Sequence, residues 1–310
     1  MALLAVVFSA CGGGGASKPV ALTTSTSPAP APSSASTASP AGSAVPPGPS
    51  PCGGETAVPT WEHVVWIWME NHSYRDVIGS PSAPYESALA RQCGSASHYA
   101  DVAHPSLPNY LAATSGDTQG VGDDDGPSSH PLSVDNLFRQ VRAAGRTERS
   151  FEEGMPGHCY QASAGRYAVK HNPAAYYVGG GDRAACQADD LGFTGTLSAG
   201  PLPTFSFVTP DLCHDTHDCS VATGDAWLKT FVPDLLQRPE YRRGAMAVFV
   251  VWDESTPMPF IMVSPTTPPG TVLARPVDHY ALLRTTEELL GLPLLGQAGS
   301  ALSMRAAFRL

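Results

Sequence analysis

His63-Val64-Val65-Trp66-Ile67-Trp68-Met69 runs without a break into Glu70-Asn71-His72-Ser73-Tyr74. The first seven residues are rich in β-branched and aromatic side chains and show no polar alternation, the pattern of a strand buried on both faces. The run stops abruptly at a polar cluster, which places Glu70 and Asn71 at the C-terminal end of the strand. The same form returns in Ala245 to Trp252, which meets Asp253 and Glu254, and in Thr204 to Val208, which meets Thr209-Pro210-Asp211. Phe260 to Val263, stopped by Ser264-Pro265, predicts a fourth strand. Between them, Leu132 to Ala144 and Tyr280 to Leu290 carry apolar residues at helical spacing and close on Gly145 and Gly291. Alternating strands and helices predict an α/β fold with a mostly parallel central sheet and helices on both faces. Ligands of such sheets bind beyond the carboxyl ends of the strands, where Glu70, Asn71, Asp253 and Glu254 fall.

Outward from this frame, residues 1–11 (MALLAVVFSAC) read as the apolar core of an export signal running into a small-residue cleavage site. Phe8-Ser9-Ala10-Cys11 resembles a bacterial lipobox, in which the cysteine takes the lipid, although a positively charged start is missing. An ordinary cleaved signal is the alternative. Residues 12–59 are dominated by Gly, Ala, Ser, Thr and Pro, almost free of charge and without an aromatic side chain, so they predict a disordered tether. Residues 60–310 are of a size for one domain, and the formal charge of -10 falls on them. With no basic stripe, the composition argues against a nucleic-acid partner. No stretch approaches the roughly 20 apolar residues needed to span a bilayer, leaving an N-terminal lipid as the one membrane attachment. Besides Cys11 there are Cys52, Cys93, Cys159, Cys186, Cys213 and Cys219, an even set in a chain read as exported. Proximity in sequence favours Cys213 with Cys219, Cys159 with Cys186 and Cys52 with Cys93, though order alone leaves other pairings open.

Several clusters carry chemistry. Glu70 and Asn71 offer hard oxygen donors suited to Mg²⁺, Ca²⁺ or Mn²⁺. Asp253 and Glu254 repel one another unless a cation sits between them. In His104-Pro105-Ser106-Leu107-Pro108-Asn109, a serine stands just ahead of a short helix whose free N–H groups favour phosphate, and it needs a metal or base to become a nucleophile. Asp211 to Cys219 packs His214, His217 and three aspartates into a loop that a disulfide can close; an imidazole there can ligate metal, bind phosphate or protonate a leaving group. Asp278-His279 is read as a cap followed by a ring. Asp123-Asp124-Asp125 and Glu152-Glu153 read as solvated loops, and Gly179-Gly180-Gly181 as a flexible surface loop. Dinucleotide and P-loop fingerprints do not occur.

Taken in order, ENHSY, HPSLPNYLAATSG, DLCHDTHDCSVATGDAWLK, VVWDES and DHYALLRTTEELLGLP resemble the bacterial phosphoesterase family of acid phosphatases and phospholipases C, within the alkaline phosphatase superfamily. The resemblance covers Val64 to Pro293. It implies Ser106 as nucleophile and a divalent metal (Mg, Ca, Mn or Zn) held by Glu70, Asn71, Asp253, Glu254 and Ser106. It further implies His217, with His214 beside it, facing the substrate phosphate, and it adds His104, Asn109 and His279 as substrate contacts. The connection from Glu254 to Pro257 is shorter than the family leads one to expect, which bears on the placement of Glu254. The function implied is an exported, metal-dependent hydrolysis of phosphate esters through a phosphoserine, of the acid-phosphatase monoester kind. A phospholipase C-type phosphodiesterase and a non-catalytic surface lipoprotein are the alternatives; the latter would lack a nucleophile or ligand, and none is missing.

Overall fold

The computed structural model describes residues 50–197 and 200–310. The signal segment 1–11 and residues 12–49 of the tether lie outside the described residues. Among the described residues, ten strands come in the order β1 His63–Met69, β2 Gly94–Ala96, β3 Tyr99–Ala100, β4 Glu148–Glu153, β5 Asp190–Phe193, β6 Phe205–Thr209, β7 Met246–Trp252, β8 Phe260–Val263, β9 Thr271–Leu273 and β10 Val277–Asp278. Nine α-helices accompany them in the same described residues: α1 Tyr74–Val77, α2 Pro84–Gln92, α3 Ser106–Ser115, α4 Leu137–Ala143, α5 Asp182–Asp189, α6 Val221–Leu236, α7 Pro239–Arg242, α8 His279–Leu290 and α9 Arg305–Phe308. Among the described helices none is long and apolar enough to cross a membrane.

Eight strands form one sheet in the order β5-β4-β6-β1-β7-β8-β2-β9, with β3 and β10 paired separately. The pairings from β5 through β7 are parallel, and β8 runs antiparallel to both β7 and β2. This is the mostly parallel sheet flanked by helices that the apolar runs predict. Every residue of β1 and of β7 is buried, as two-sided coverage requires. The parallel register positions the site: Met69 lies opposite Trp252, so the residues that leave β1 and β7 emerge side by side.

Four expectations change. The helix expected over 132–144 is shorter: Leu132 is drawn into a bridge with Tyr177, and Asn136 caps α4 by accepting from Arg139 N. Glu152 and Glu153 are not in a solvated loop but in the strand β4, where both are buried. That strand is charged along its length (ERSFEE), and its burial is made tolerable by partners: Arg142 pairs with Glu148, and Ser150 Oγ donates to Glu152 at 2.7 Å. Gly179 to Gly181 does not float; Gly181 leads straight into α5, and Arg139 lies against the space where side chains on Gly179 and Gly180 would stand. From Ser50 onward, the end of the segment assigned to the tether is fastened to the body. Cys52 is bonded to Cys93, Tyr241 donates to Pro51 O at 2.8 Å, and Glu55 N donates to Pro265 O at 3.0 Å. The other two disulfides are Cys159–Cys186 and Cys213–Cys219, so all three pairings favoured by proximity are present.

Candidate active site

The site is assembled where β1, β6 and β7 end. Asp253 N donates to Met69 O at 3.2 Å, continuing the strand pairing one residue past its end. Asn71 then turns through a left-handed conformation (φ 60°), which asparagine tolerates better than most residues, and its N–H donates to Asp253 Oδ1 at 3.0 Å. Glu70 and Asp253 are thereby locked beside one another, both fully buried.

Helix α3 begins at Ser106 and brings a hydroxyl from each of its first two turns onto Glu70. Ser106 Oγ donates to Oε2 at 3.4 Å, and Tyr110, one turn on, donates to Oε1 at 2.5 Å. Pro105, not Ser106, occupies the helix cap position. The free N–H groups expected there are fewer than the sequence suggests, because Leu107 N donates to Asp124 Oδ1 at 3.0 Å and Pro108 has no N–H. The Tyr110 ring stacks on Trp68 (4.6 Å) and on His171 (5.3 Å), with Phe207 beyond Trp68 at 5.6 Å. A rigid aromatic pile therefore fixes the height of both the tyrosine hydroxyl and the imidazole.

The disulfide loop after β6 closes the third side. Glu70 N donates to Asp215 O at 2.8 Å and Thr216 Oγ1 donates to Glu70 O at 2.8 Å. Helix α6 crosses so near that a Cβ on Gly224 would stand 2.4 Å from Thr216 Cγ2 and 2.9 Å from Met69 Cε, so only glycine fits.

Three carboxylates, Glu70, Asp215 and Asp253, are thus buried together. Burial, reinforced by the charges of Asp253 and Asp215, pushes Glu70 well above the ordinary carboxylate range; burial also raises Asp215, and it pushes Asp253 up to about 6. His171 Nε2 stands 3.1 Å from Glu70 Oε1 and its Nδ1 stands 3.3 Å from Asp215 Oδ2, yet burial, ahead of the neighbouring Lys170 charge, holds this imidazole well below its usual value. Asp253 Oδ2, Asp215 Oδ2 and His171 Nε2 are buried without a hydrogen-bond partner. Clustered acids with orphaned donor atoms are what a cation would relieve, and the residues present fit a divalent metal. Glu70, His171 and His217 offer three ligand atoms within 4.8 Å of one another, while Ser106 Oγ meets Oε2, the other oxygen of the same Glu70 carboxylate.

The other sequence-derived candidates separate into two groups. Glu254 lies beside the site but pairs with His104, whose Nδ1 is 2.7 Å from Glu254 Oε2. Both belong to the rim, His104 with 68% of its side chain exposed. His217 lies within 5.5 Å of His171, ring to ring, and its Nε2 is 3.3 Å from Lys170 Nζ. His214 points elsewhere, to Glu153 Oε2 at 2.8 Å and against Trp227, so the two histidines of the loop serve different neighbourhoods. Asn109 is not placed to touch substrate: it accepts from Val102 N and Ala103 N and donates to Ala103 O and Pro105 O, which spends its amide on the loop ahead of Ser106. His279 is completely buried between Tyr99 Oη (2.8 Å) and Asp253 O (2.7 Å), burial lowers it to about 4, and it buttresses the backbone of Asp253 instead of facing substrate. Sequence reasoning missed Lys170, His171 and the roles of Tyr110 and Asp124. Tyr110 at four residues from Ser106 was the one recoverable signal.

The pattern that defines the Phosphoesterase family matches residues 80–257. The chain is 32% identical over 252 residues to a phosphatidylinositol-3-phosphatase of Mycobacterium tuberculosis, covering 79% of this chain and 82% of that protein. It is 28% identical to a probable acid phosphatase of Kluyveromyces lactis (74% of this chain, 58% of that one) and 26% identical to a phosphate-repressible acid phosphatase of Penicillium chrysogenum (76% and 61%). The chain therefore spans less than two thirds of the length of these fungal relatives. Among solved structures, a protein of the alkaline phosphatase superfamily from Vibrio parahaemolyticus shares the fold, with a TM-score of 0.51 at 14% identity over 84% of this chain and 73% of that one.

Proposed function

We propose, for a chain that belongs to the phosphoesterase family and is a hydrolase of phosphoric ester bonds, an exported, metal-dependent phosphomonoesterase in which Ser106 is the nucleophile. The observation that carries this reading is the donation of Ser106 Oγ to the buried carboxylate of Glu70 at 3.4 Å, with the buried Asp253 beside it at the mouth of a parallel sheet. Ser106 Oγ attacks phosphorus in line, the ester P–O bond breaks, and the alcohol leaves; water then cleaves the phosphoserine to give inorganic phosphate and free serine. Glu70 and Asp253, joined by Ser106 and Asn71 as further oxygen donors, would hold a divalent metal, which lowers the pKa of a bound hydroxyl and offsets phosphoryl charge. Glu254 reaches the same edge with its carboxylate shared with His104. Tyr110 keeps the Glu70 carboxylate oriented, and His217, whose Nε2 lies 3.3 Å from Lys170 Nζ, flanks the side where a phosphoryl oxygen would lie.

Acid-phosphatase character is supported by the fungal relatives, and the Mycobacterium relative supports a phosphoinositide as one substrate to try. Export is supported by three disulfides, which persist in oxidising compartments, and by the leader-like residues 1–11. Activity on 4-nitrophenyl phosphate, measured for the wild type, for Ser106→Ala and after chelation with add-back of single metals, tests the reading. It expects loss in the variant, loss on chelation and recovery with one divalent ion. Full activity in Ser106→Ala would remove the nucleophile assignment, and activity indifferent to chelation would remove the metal.

A further inference from the structure

The sequence holds three lysines, Lys18, Lys170 and Lys229, and one of them stands beside the nucleophile helix. We infer that Lys170, held in place by Asp124, is the specificity-determining cation that favours a doubly charged terminal phosphate over a singly charged phosphodiester. This rests on the reading of Ser106 as nucleophile.

One carboxylate ties the lysine to the chemistry. Asp124 Oδ1 accepts from Leu107 N, the residue after Ser106, at 3.0 Å, and Asp124 Oδ2 accepts from Lys170 Nζ at 3.0 Å. The ammonium is therefore indexed to the start of α3 and cannot wander as a surface lysine does. Its next neighbour in the chain, His171, is stacked on Tyr110 and reaches Glu70, so the segment turns its polar side toward the site. On the other flank, His217 Nδ1 is 2.7 Å from Asp218 Oδ1, an arrangement that leaves Nε2 to accept from Lys170 Nζ at 3.3 Å. An ammonium has three donors, and Asp124 and His217 use two, so one remains for a ligand oxygen. With 20% of its side chain exposed, Lys170 is reachable yet largely desolvated, and its charge is screened less than that of a surface residue.

Charge decides which ligand gains. Glu70, Asp215 and Asp253 gather three buried carboxyl groups, and a divalent metal held there would be largely spent in offsetting them. A phosphomonoester above pH 7 carries one more negative charge than a diester of the same alcohol, and that extra charge is what a fixed ammonium recognises. Asp124 thus acts as a positioning residue, through Lys170.

The test compares Lys170→Gln, Lys170→Arg and Asp124→Asn with wild type at pH 7.5 on 4-nitrophenyl phosphate and on bis(4-nitrophenyl) phosphate, with inorganic phosphate as competitive inhibitor. Lys170→Gln should lower kcat/KM for the monoester about 30-fold, the scale of one hydrogen bond to a charged group. The diester rate should stay within about 3-fold, and the inhibition constant for phosphate should rise about 10-fold. Lys170→Arg should recover part of the monoester rate, and Asp124→Asn should weaken phosphate inhibition in the same direction. Equal losses on both esters, or unchanged phosphate inhibition in a variant that melts like wild type, would overturn the proposal. Ser106→Ala, run alongside, reports on the underlying reading separately: its full activity would sink the nucleophile while leaving the ester preference of Lys170→Gln to be read on its own.

Discussion

The two halves of the site differ in what they lack. On the side of β1 and β7, Glu70 and Asp253 are buried acids, and Asp253 has an oxygen with no partner. On the side of the 159–176 segment and the disulfide loop, Lys170 and His217 are each engaged at short range, to Asp124 and to Asp218. The first half is short of positive charge and suited to a cation; the second half already carries its cation and is suited to an anion. On the proposed reading a phosphate ester would bridge the two, so substitutions should sort by half.

The largest loss is expected from Asp253→Asn. It keeps the acceptor for Asn71 N but removes the charge, and activity on 4-nitrophenyl phosphate should fall about 1,000-fold, the scale of losing a preorganised charge at the reacting centre. Metal content, measured on the purified variant, should fall with it. If Asp253→Asn kept its metal and instead resembled Lys170→Gln, losing the monoester alone, the division into halves would be wrong.

Much of the first half is legible in the sequence; of the second, only the disulfide loop with His217 is. Strands β1 and β7 are all apolar, so the polar residues after them stand out, and the parallel register brings those residues together without further information. Strand β4 is hidden because five of its six residues are polar or charged, and its burial depends on partners distant in the chain, such as Arg142 for Glu148. Lys170 and His171 lie in a short 3₁₀ turn with no apolar periodicity to mark it. His279 and Asn109 misled for the opposite reason: each is a polar side chain in a motif-like stretch, but their hydrogen bonds are consumed in holding backbone and the Tyr99 hydroxyl.

A smaller effect sharpens the boundary between the halves. Tyr110→Phe keeps the stack between Trp68 and His171 and removes only the donor to Glu70 Oε1. Activity should fall about 10-fold, in keeping with one hydrogen bond to a charged group, and metal affinity should change with it. Loss of activity with unchanged metal affinity would place Tyr110 in the substrate half.

The smallest effect on catalysis concerns the footing of the second half. Asn172 Nδ2 donates to Asp190 Oδ2 at 2.8 Å, tying the segment that carries Lys170 and His171 to β5. Burial, above all, pushes Asp190 up from 3.8 to about 7. The fold prefers its protonated form, so this contribution to stability is fully present below about pH 4 and is lost as pH rises through about 7. Thermal unfolding monitored from pH 5 to pH 8 should show Tm falling with pH. Asp190→Asn should flatten that slope by about 3–6 °C and leave kcat nearly unchanged. An unchanged slope would show that Asp190 titrates alike in the folded and unfolded chain.

The Cys52–Cys93 bond has a mechanical consequence. Cys52 is buried ahead of β1, and Cys93 sits between α2 and β2, on the far side of β7 and β8 from β6. A pull applied to the chain ahead of Cys52 is handed through that bond to α2 and β2. Between that bond and β1, Glu55 N on Pro265 O and the buried Trp61 are further fastenings, so several anchors stand ahead of Glu70.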